Sequence, residues 1–261
     1  LLLQRHGEHV VVRPAAFGFS RAHHMDGPVV NLSYYIYSAF PLFAQVNGRH
    51  PFMEAWRSGL RLTSAAVAHS GGHAPDWITL RRDRKLQPAR GFMPKSSYDA
   101  VRIPLYMMMD RQTPPAALVP FDRAWNLNGQ NMPKDINLDT GETLMHMNDL
   151  GYRAIAALTA CVVRGRPIPR ELQRFRTTTY FSSALHLLTL AAARANHPHC
   201  VDHVPMASTR ALNPALTSTI VAGSRTAPSR PLTIDDMPGF DRRPIERPAH
   251  YAHSVSHFRM R

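Results

Sequence analysis

The sequence predicts an all-α fold with minor β-hairpins, and three observations predict it. Six segments within about 200 residues carry apolar side chains at helical spacing. Capping and helix-ending residues bound most of them. The stretches with strand character are short and flanked by turn residues, as in a helical domain with small β additions. The helices are too unevenly spaced for a repeat array.

Asn31 is a good N-cap for a first helix through Leu32–Phe43, which Gly48 closes and Pro41 should kink or break. Phe52, Trp56, Leu60, Thr63 and Val67 recur at helical spacing in a second helix that ends at Gly71-Gly72. Trp77–Leu80 and Leu86–Pro88 read as a hairpin around the charged turn 81–85. A third helix starts between Tyr98 and Pro104 and runs through Leu105–Met109, with Pro104 in its first turn and the methionines filling core. Pro114-Pro115 opens a fourth, with Ala117, Leu118, Phe121 and Trp125 on one face. Ile136–Gly141 reads as strand and turn, because Asp139-Thr140-Gly141 carries turn chemistry. Leu150, Ala154, Ile155, Leu158 and Val162 mark a fifth helix ending at Gly165. A sixth runs from Tyr180 to Ala193, with Leu185, Leu188 and Leu190 or Ala191 inward.

Beyond residue 200 helical periodicity disappears and Pro, Ser, Thr, Arg and His accumulate, as in Ala222–Pro231. Residues 1–200 are therefore expected to form one domain and residues 201–261 a poorly ordered tail. No apolar run approaches the roughly 18 residues that span a membrane. Leu1-Leu2-Leu3-Gln4-Arg5-His6 is too short for a signal peptide, and the first residue is not Met, so a processed or truncated product is expected.

The formal net charge is +13, carried by scattered arginines with Lys only at Lys85, Lys95 and Lys134. They form no basic helix stripe, so nucleic acid is not an expected partner; a basic anion-binding protein is the rival that charge alone supports. Cys161 and Cys200 define no disulfide framework. Cys161 reads as a small buried residue, and pairing with Cys200 stays open. His197-Pro198-His199-Cys200-Val201-Asp202-His203 offers several ligand types, yet its local spacing fits no standard zinc pattern. No metal and no cofactor are expected. The sequence has no phosphate-binding Gly loop and no Gly-x-Ser-x-Gly elbow.

Four blocks carry a resemblance. They are Asn31-Leu32-Ser33-Tyr34-Tyr35 after Asp26-Gly27, Ala74-Pro75-Asp76-Trp77, Ser97-Tyr98-Asp99-Ala100-Val101-Arg102-Ile103-Pro104-Leu105, and Tyr180–Leu188. In this order and spacing they resemble glycoside hydrolase family 8, above all the endoglucanases encoded with bacterial cellulose synthases. The Tyr-Asp-Ala-Val-Arg block is the most specific. The resemblance covers about residues 1–200 and corresponds to the C-terminal half or more of the family's catalytic domain. It implies an (α/α)6 barrel of the six-hairpin glycosidase type, apparently incomplete, since six helices make about half of it. It also implies an endo-β-1,4-glucanase that hydrolyses cellulose-like β-glucan with inversion. A monomer in the periplasm or outside the cell is the corresponding expectation.

Inverting hydrolysis needs two carboxyl groups roughly 6.5–9.5 Å apart, one to protonate the leaving oxygen and one to activate water. By resemblance Asp99 is the base. Arg102, three residues on, can share its face, and a guanidinium beside a carboxylate favours the charged form. Tyr98 would orient water or sugar, and Tyr34, Tyr35 and Trp77 would stack on sugar rings. Each has a plainer alternative: helix capping for Asp99, a surface ion pair for Arg102 and core packing for the aromatics. Trp56 and Trp125 are expected in the core. The family's acid stands in a Glu-Gly-x-Gly-Tyr-type motif and its sugar-holding Asp in an Ala-Ser-Asp-Gly-Asp-type motif. Neither motif occurs, and Glu8, Glu54, Glu142, Glu171 and Glu246 lack the context. A truncated inactive remnant or a sugar-binding half-barrel is therefore the second expectation.

Overall fold

A computed structural model describes residues 2–201, apart from Met25, Arg82, Arg84 and residues 127–131. These all fall in one unit, Leu1–Val204. The tail expected beyond Val201 lies outside the described residues.

The chain opens with an antiparallel hairpin, β1 (Leu3–His6) and β2 (His9–Val12), that sequence periodicity did not indicate. Gly7 adopts φ +58° in its turn, a conformation glycine reaches without steric cost. β3 (Val29–Val30) leads into a 3-10 turn, Leu32–Tyr34. The helix expected over Leu32–Phe43 is split. Asn31 caps the 3-10 turn by accepting from the Ser33 N–H, and α1 spans Ala39–Val46. Pro41 explains the break: it lacks a donor and is tolerated in a helix's first turn, where it stands in α1.

α2 (Phe52–His69) ends where Gly71 and Gly72 take positive φ, as the Gly-Gly pair predicts. β4 (Ile78–Leu80) pairs antiparallel with β5 (Leu86–Pro88) and, on its other edge, with β3. β6 (Lys95–Ser96) leads through a turn into α3 (Arg102–Met108), with Pro104 in the first turn. A 3-10 turn at Pro115–Leu118 runs into α4 (Val119–Asn126). β7 (Lys134–Asn137) pairs with β6 and with β8 (Thr143–His146). α5 (Leu150–Arg164) closes at Gly165, φ +71°, whose N–H reaches the Cys161 carbonyl at 2.7 Å. α6 (Tyr180–Asn196) precedes a last 3-10 turn, Pro198–Cys200. The described residues thus hold six α-helices and three small antiparallel sheets.

The helices share one core, in which Leu62, Ile103, Leu105, Met107, Met108, Ile155, Leu158 and Leu185 are buried. Trp125 is buried, and Trp56 packs at the core's edge while donating its indole N–H to Asp110 at 2.9 Å. α5 and α6 run side by side in the same sense. Gly151 meets Ser182 near their starts, and Cys161 is disulfide-bonded to Cys200 just past the end of α6, with Cα atoms 5.8 Å apart. The bond closes a 39-residue separation, which removes about 4 kcal/mol of unfolded-chain freedom in the loop-entropy account. No described helix is long and apolar enough to cross a membrane.

Candidate active site

The turn between β6 and α3 carries Asp99. Its shape is set from outside by Asp76, whose Oδ1 accepts the Ser97 N–H at 2.8 Å and the Ala100 N–H at 2.9 Å. The Asp76 N–H in turn donates to the Lys95 carbonyl at 2.8 Å. Asp76 is 4% exposed. Burial pushes its carboxyl up to about 6; the two N–H donors and Lys95 oppose the rise, and the neighbouring Asp99 adds to it.

The capping role weighed for Asp99 is not realised. The cap position of α3 is Val101, with no side-chain cap bond, and the Asp99 carboxylate turns to Arg102 instead. Asp76 does the work a cap would do, because it takes up N–H groups of the turn just ahead of the helix. Asp99 keeps a quarter of its side chain open to solvent.

Arg102 is not an exposed surface partner: its side chain is 19% accessible. Its Nη2 donates to Asp99 Oδ1 and to Ser33 Oγ, the latter at 2.8 Å. Ser33 Oγ donates to Asn31 Oδ1 at 2.6 Å, and the Ser33 N–H reaches the same oxygen at 2.9 Å. Two sequence blocks 69 residues apart therefore meet in one chain, Asn31–Ser33–Arg102–Asp99. The Arg102 Cζ also lies 6.0 Å from the Tyr34 ring centroid and 5.9 Å from that of Phe181, so aromatic rings flank the guanidinium.

Tyr34 and Tyr98 stand open beside this chain, 38% and 39% exposed. Tyr98 meets Tyr152 and Phe181 edge-on at 5.9 and 6.3 Å. Trp77 is half-buried, edge-on to Tyr34 at 6.1 Å, and clusters with Phe92 at 4.6 Å and Phe19 at 5.8 Å. Tyr35 must be corrected. It is fully buried, its hydroxyl accepts the Val12 N–H at 3.1 Å, and its ring fills the space left by Gly59, where a Cβ would collide with it. It is a core residue.

The structure thus brings together Asp99, Arg102, Tyr98 and Tyr34, with Trp77 at the margin through Tyr34. It adds residues that the sequence did not place in the site: Asp76, Asn31, Ser33, Tyr152 and Phe181. Asn31 and Ser33 had a signal in the Asn-x-Ser pattern, which suits an Asx-type cap. The arrangement is a partly open carboxylate on a braced turn, held by a guanidinium and bordered by exposed aromatic rings. Such a carboxylate can accept a proton from a water placed over those rings.

The profile of Glycosyl hydrolases family 8 matches residues 2–195. A probable endoglucanase of Novacetimonas hansenii is 34% identical over 199 residues, 74% of this chain and 55% of that protein. An endoglucanase of Cellulomonas uda is 33% identical over 167 residues, 62% of this chain and 43% of that protein. Among solved structures, an endo-β-1,4-glucanase from Acetobacter xylinum superposes with a TM-score of 0.60 at 29% identity, covering 76% of this chain and 60% of that one. The chain spans about half the length of the curated relatives it matches.

Proposed function

Since the chain belongs to glycosyl hydrolases family 8, we propose that it works as an endo-β-1,4-glucanase on cellulose-like glucan, with inversion and with Asp99 as general base. Its fold is the helical six-hairpin glycosidase type, matched over 60% of the Acetobacter xylinum enzyme's length. The observation that carries the reading is the bracing of Asp99. A base must hold one geometry toward its water, and Asp76 fixes the backbone of its turn while Arg102 fixes its carboxylate. Arg102 beside it offsets the negative charge without providing a proton. Tyr34 and Tyr98 offer exposed ring surface for the apolar faces of sugars, and Trp77 would support Tyr34 from behind. Export to the periplasm or the medium belongs to the same reading. The Cys161–Cys200 disulfide supports it, because disulfides persist in oxidising compartments.

A second reading, that these 261 residues bind sugar without cleaving it, is favoured by one observation: they contain no Glu-Gly-x-Gly-Tyr-type context for the acid. An aryl cello-oligosaccharide with an acidic phenol as leaving group separates the two, since such a group departs without protonation. Under the first reading the chain releases the phenol, Asp99→Asn lowers the rate by about 10²–10⁴-fold, and NMR shows the α-anomer formed first. Unchanged release by Asp99→Asn, or a β-anomer first, overturns Asp99 as base. Oligosaccharide binding with no release favours the second reading.

A further inference from the structure

A cleft of about 640 Å³ opens at the end of α2, and none of the residues around Asp99 lines it. Three elements and a loop build it. Ser64, Val67 and Ala68 share one face of α2 by their spacing. Lys134 and Ile136 alternate along β7, and Thr143 of β8 stands opposite Ile136, so these three lie on one face of the sheet. Arg123 comes from α4, and His73 from the loop after α2.

The charge in this cleft has one sign. Arg123, Lys134 and His73 line it, and among the described residues no carboxylate does. The acids close by in sequence are turned elsewhere. Asp122, next to Arg123, pairs with Arg164 at 3.0 Å and accepts from Asn126 at 2.9 Å. Asp135, next to Lys134, pairs with Lys95 at 3.6 Å. Asp76, three residues past His73, takes up the Ser97 and Ala100 N–H groups. Glu142 precedes Thr143 and is exposed, outside the lining. Arg123 and Lys134 form no ion pair among the described residues. Burial, with Lys134 adding to it, holds the His73 imidazole below its ordinary range.

Two fixed positive charges in a partly enclosed space with no acid attract an anion. A single carboxylate leaves one of them uncompensated, whereas a phosphate monoester carries about −1.5 to −2 at neutral pH and three acceptor oxygens. A guanidinium meets such oxygens with paired N–H bonds and an ammonium meets them as a point charge. The Ser64 and Thr143 hydroxyls are further donors in the same lining. The cleft is much larger than a phosphate ion, and Val67, Ala68, Pro120 and Ala124 give it an apolar wall for the body of an ester. We propose that this cleft is a binding site for a dianionic phosphate group, free or carried as a monoester. The inference is independent of the glucanase reading. The sequence hid the site because its cations are scattered along the chain and only the packing of α2, α4 and β7 gathers them.

The test titrates the whole chain with inorganic phosphate, glucose 6-phosphate, glucuronate and glucose by calorimetry, at fixed ionic strength and a pH well above the second phosphate pKa of about 6. One phosphate or one glucose 6-phosphate should bind per chain, at least about tenfold tighter than glucuronate, and glucose should not compete. Arg123→Ala and Lys134→Ala should each weaken both phosphates by about tenfold or more, the scale of a hydrogen bond to a charged group, and keep the helical circular dichroism. Arg61→Ala, which removes a charge outside the cleft, should leave binding unchanged. The His73 Cε1–H resonance, identified by its loss in His73→Gln, should titrate at higher pH with phosphate bound, because a dianion beside Lys134 and Arg123 favours the charged imidazole. Tighter binding of glucose 6-phosphate identifies the ester as the source, and equal affinities identify the free ion. Three results overturn the proposal: no saturable phosphate binding, glucuronate bound as tightly as phosphate, or Arg61→Ala weakened as much as Lys134→Ala.

Discussion

Arg102 gives one guanidinium nitrogen to both Asp99 and Ser33, so the carboxylate three residues before it is locked to a 3-10 turn from the far side of the sequence. Lysine cannot reproduce this. It presents a compact charge on a flexible stem, without the planar surface that Tyr34 and Phe181 border. Arg102→Lys should therefore keep the charge and lose the geometry. On the aryl cello-oligosaccharide, kcat should fall by about 10²-fold, the scale of a misplaced reacting group, with KM little changed. An unchanged kcat would show that charge alone is what Arg102 supplies.

Asp76 sets a pH dependence of stability with a definite sign. Its carboxyl is held at about 6 in the folded chain, above its ordinary value, so the fold binds that proton more tightly than the unfolded chain does. The stabilisation is complete at pH below about 4 and is lost as pH rises to about 6, on the order of 3 kcal/mol in all. Asp76→Asn keeps an oxygen for the Ser97 and Ala100 N–H groups and removes the titration. Urea midpoints measured from pH 4 to pH 7 should fall more steeply in wild type than in the variant, and the variant should be the more stable at pH 7. Parallel curves would refute the burial effect.

What the sequence made legible follows from the range of each interaction. α2 and α5 were readable because their apolar residues repeat along one helix and Gly71-Gly72 and Gly165 stop them. The Asp99–Arg102 pair was readable because i and i+3 share a helical face. Asp76 was not, since its partners are 21 and 24 residues away and nothing local selects them. Tyr34 and Tyr35 looked alike because both are aromatic neighbours at the mouth of one motif. What separates them is remote: Gly59 in α2 leaves a hollow for one ring, and the Val12 N–H finds its hydroxyl. The split of the first helix was half visible in Pro41. The β1–β2 hairpin was hidden because Leu3-Gln4-Arg5-His6 and His9-Val10-Val11-Val12 show no period-2 alternation, although Gly7 at the first turn position, φ +58°, suits a two-residue hairpin loop.

That separation can be measured. Tyr34→Ala should weaken cello-oligosaccharide binding by about fivefold to tenfold, the scale of about 1 kcal/mol for an aromatic contact. Tyr35→Phe should leave binding unchanged and cost about 1 kcal/mol of stability, through the lost acceptor for the Val12 N–H. Calorimetric titration and denaturant unfolding on the same two variants read both effects. A binding loss in Tyr35→Phe would return Tyr35 to the site.

Gly151 is the position where backbone packing places the aromatic border of the site. A Cβ there would run into the Ser182 carbonyl, which is backbone of α6 and cannot rotate away, and the Gly151 N–H donates to Ser182 Oγ at 3.1 Å. Alanine favours a helix by about 1 kcal/mol over glycine. At Gly151 the collision should outweigh that gain and leave a net loss of about 2–3 kcal/mol, as overpacking does. Gly48 provides the control, because a Cβ there meets its nearest neighbour, the Ala44 carbonyl, at an ordinary 3.6 Å. Gly48→Ala should lie within about 0.5 kcal/mol of wild type. Tyr152 and Phe181 adjoin the Gly151–Ser182 contact and hold Tyr98, so Gly151→Ala should also change the near-ultraviolet circular dichroism of these rings and reduce oligosaccharide binding. Thermal unfolding that places Gly151→Ala level with Gly48→Ala would show that α5 and α6 can separate freely, and the site's aromatic border would then need another support.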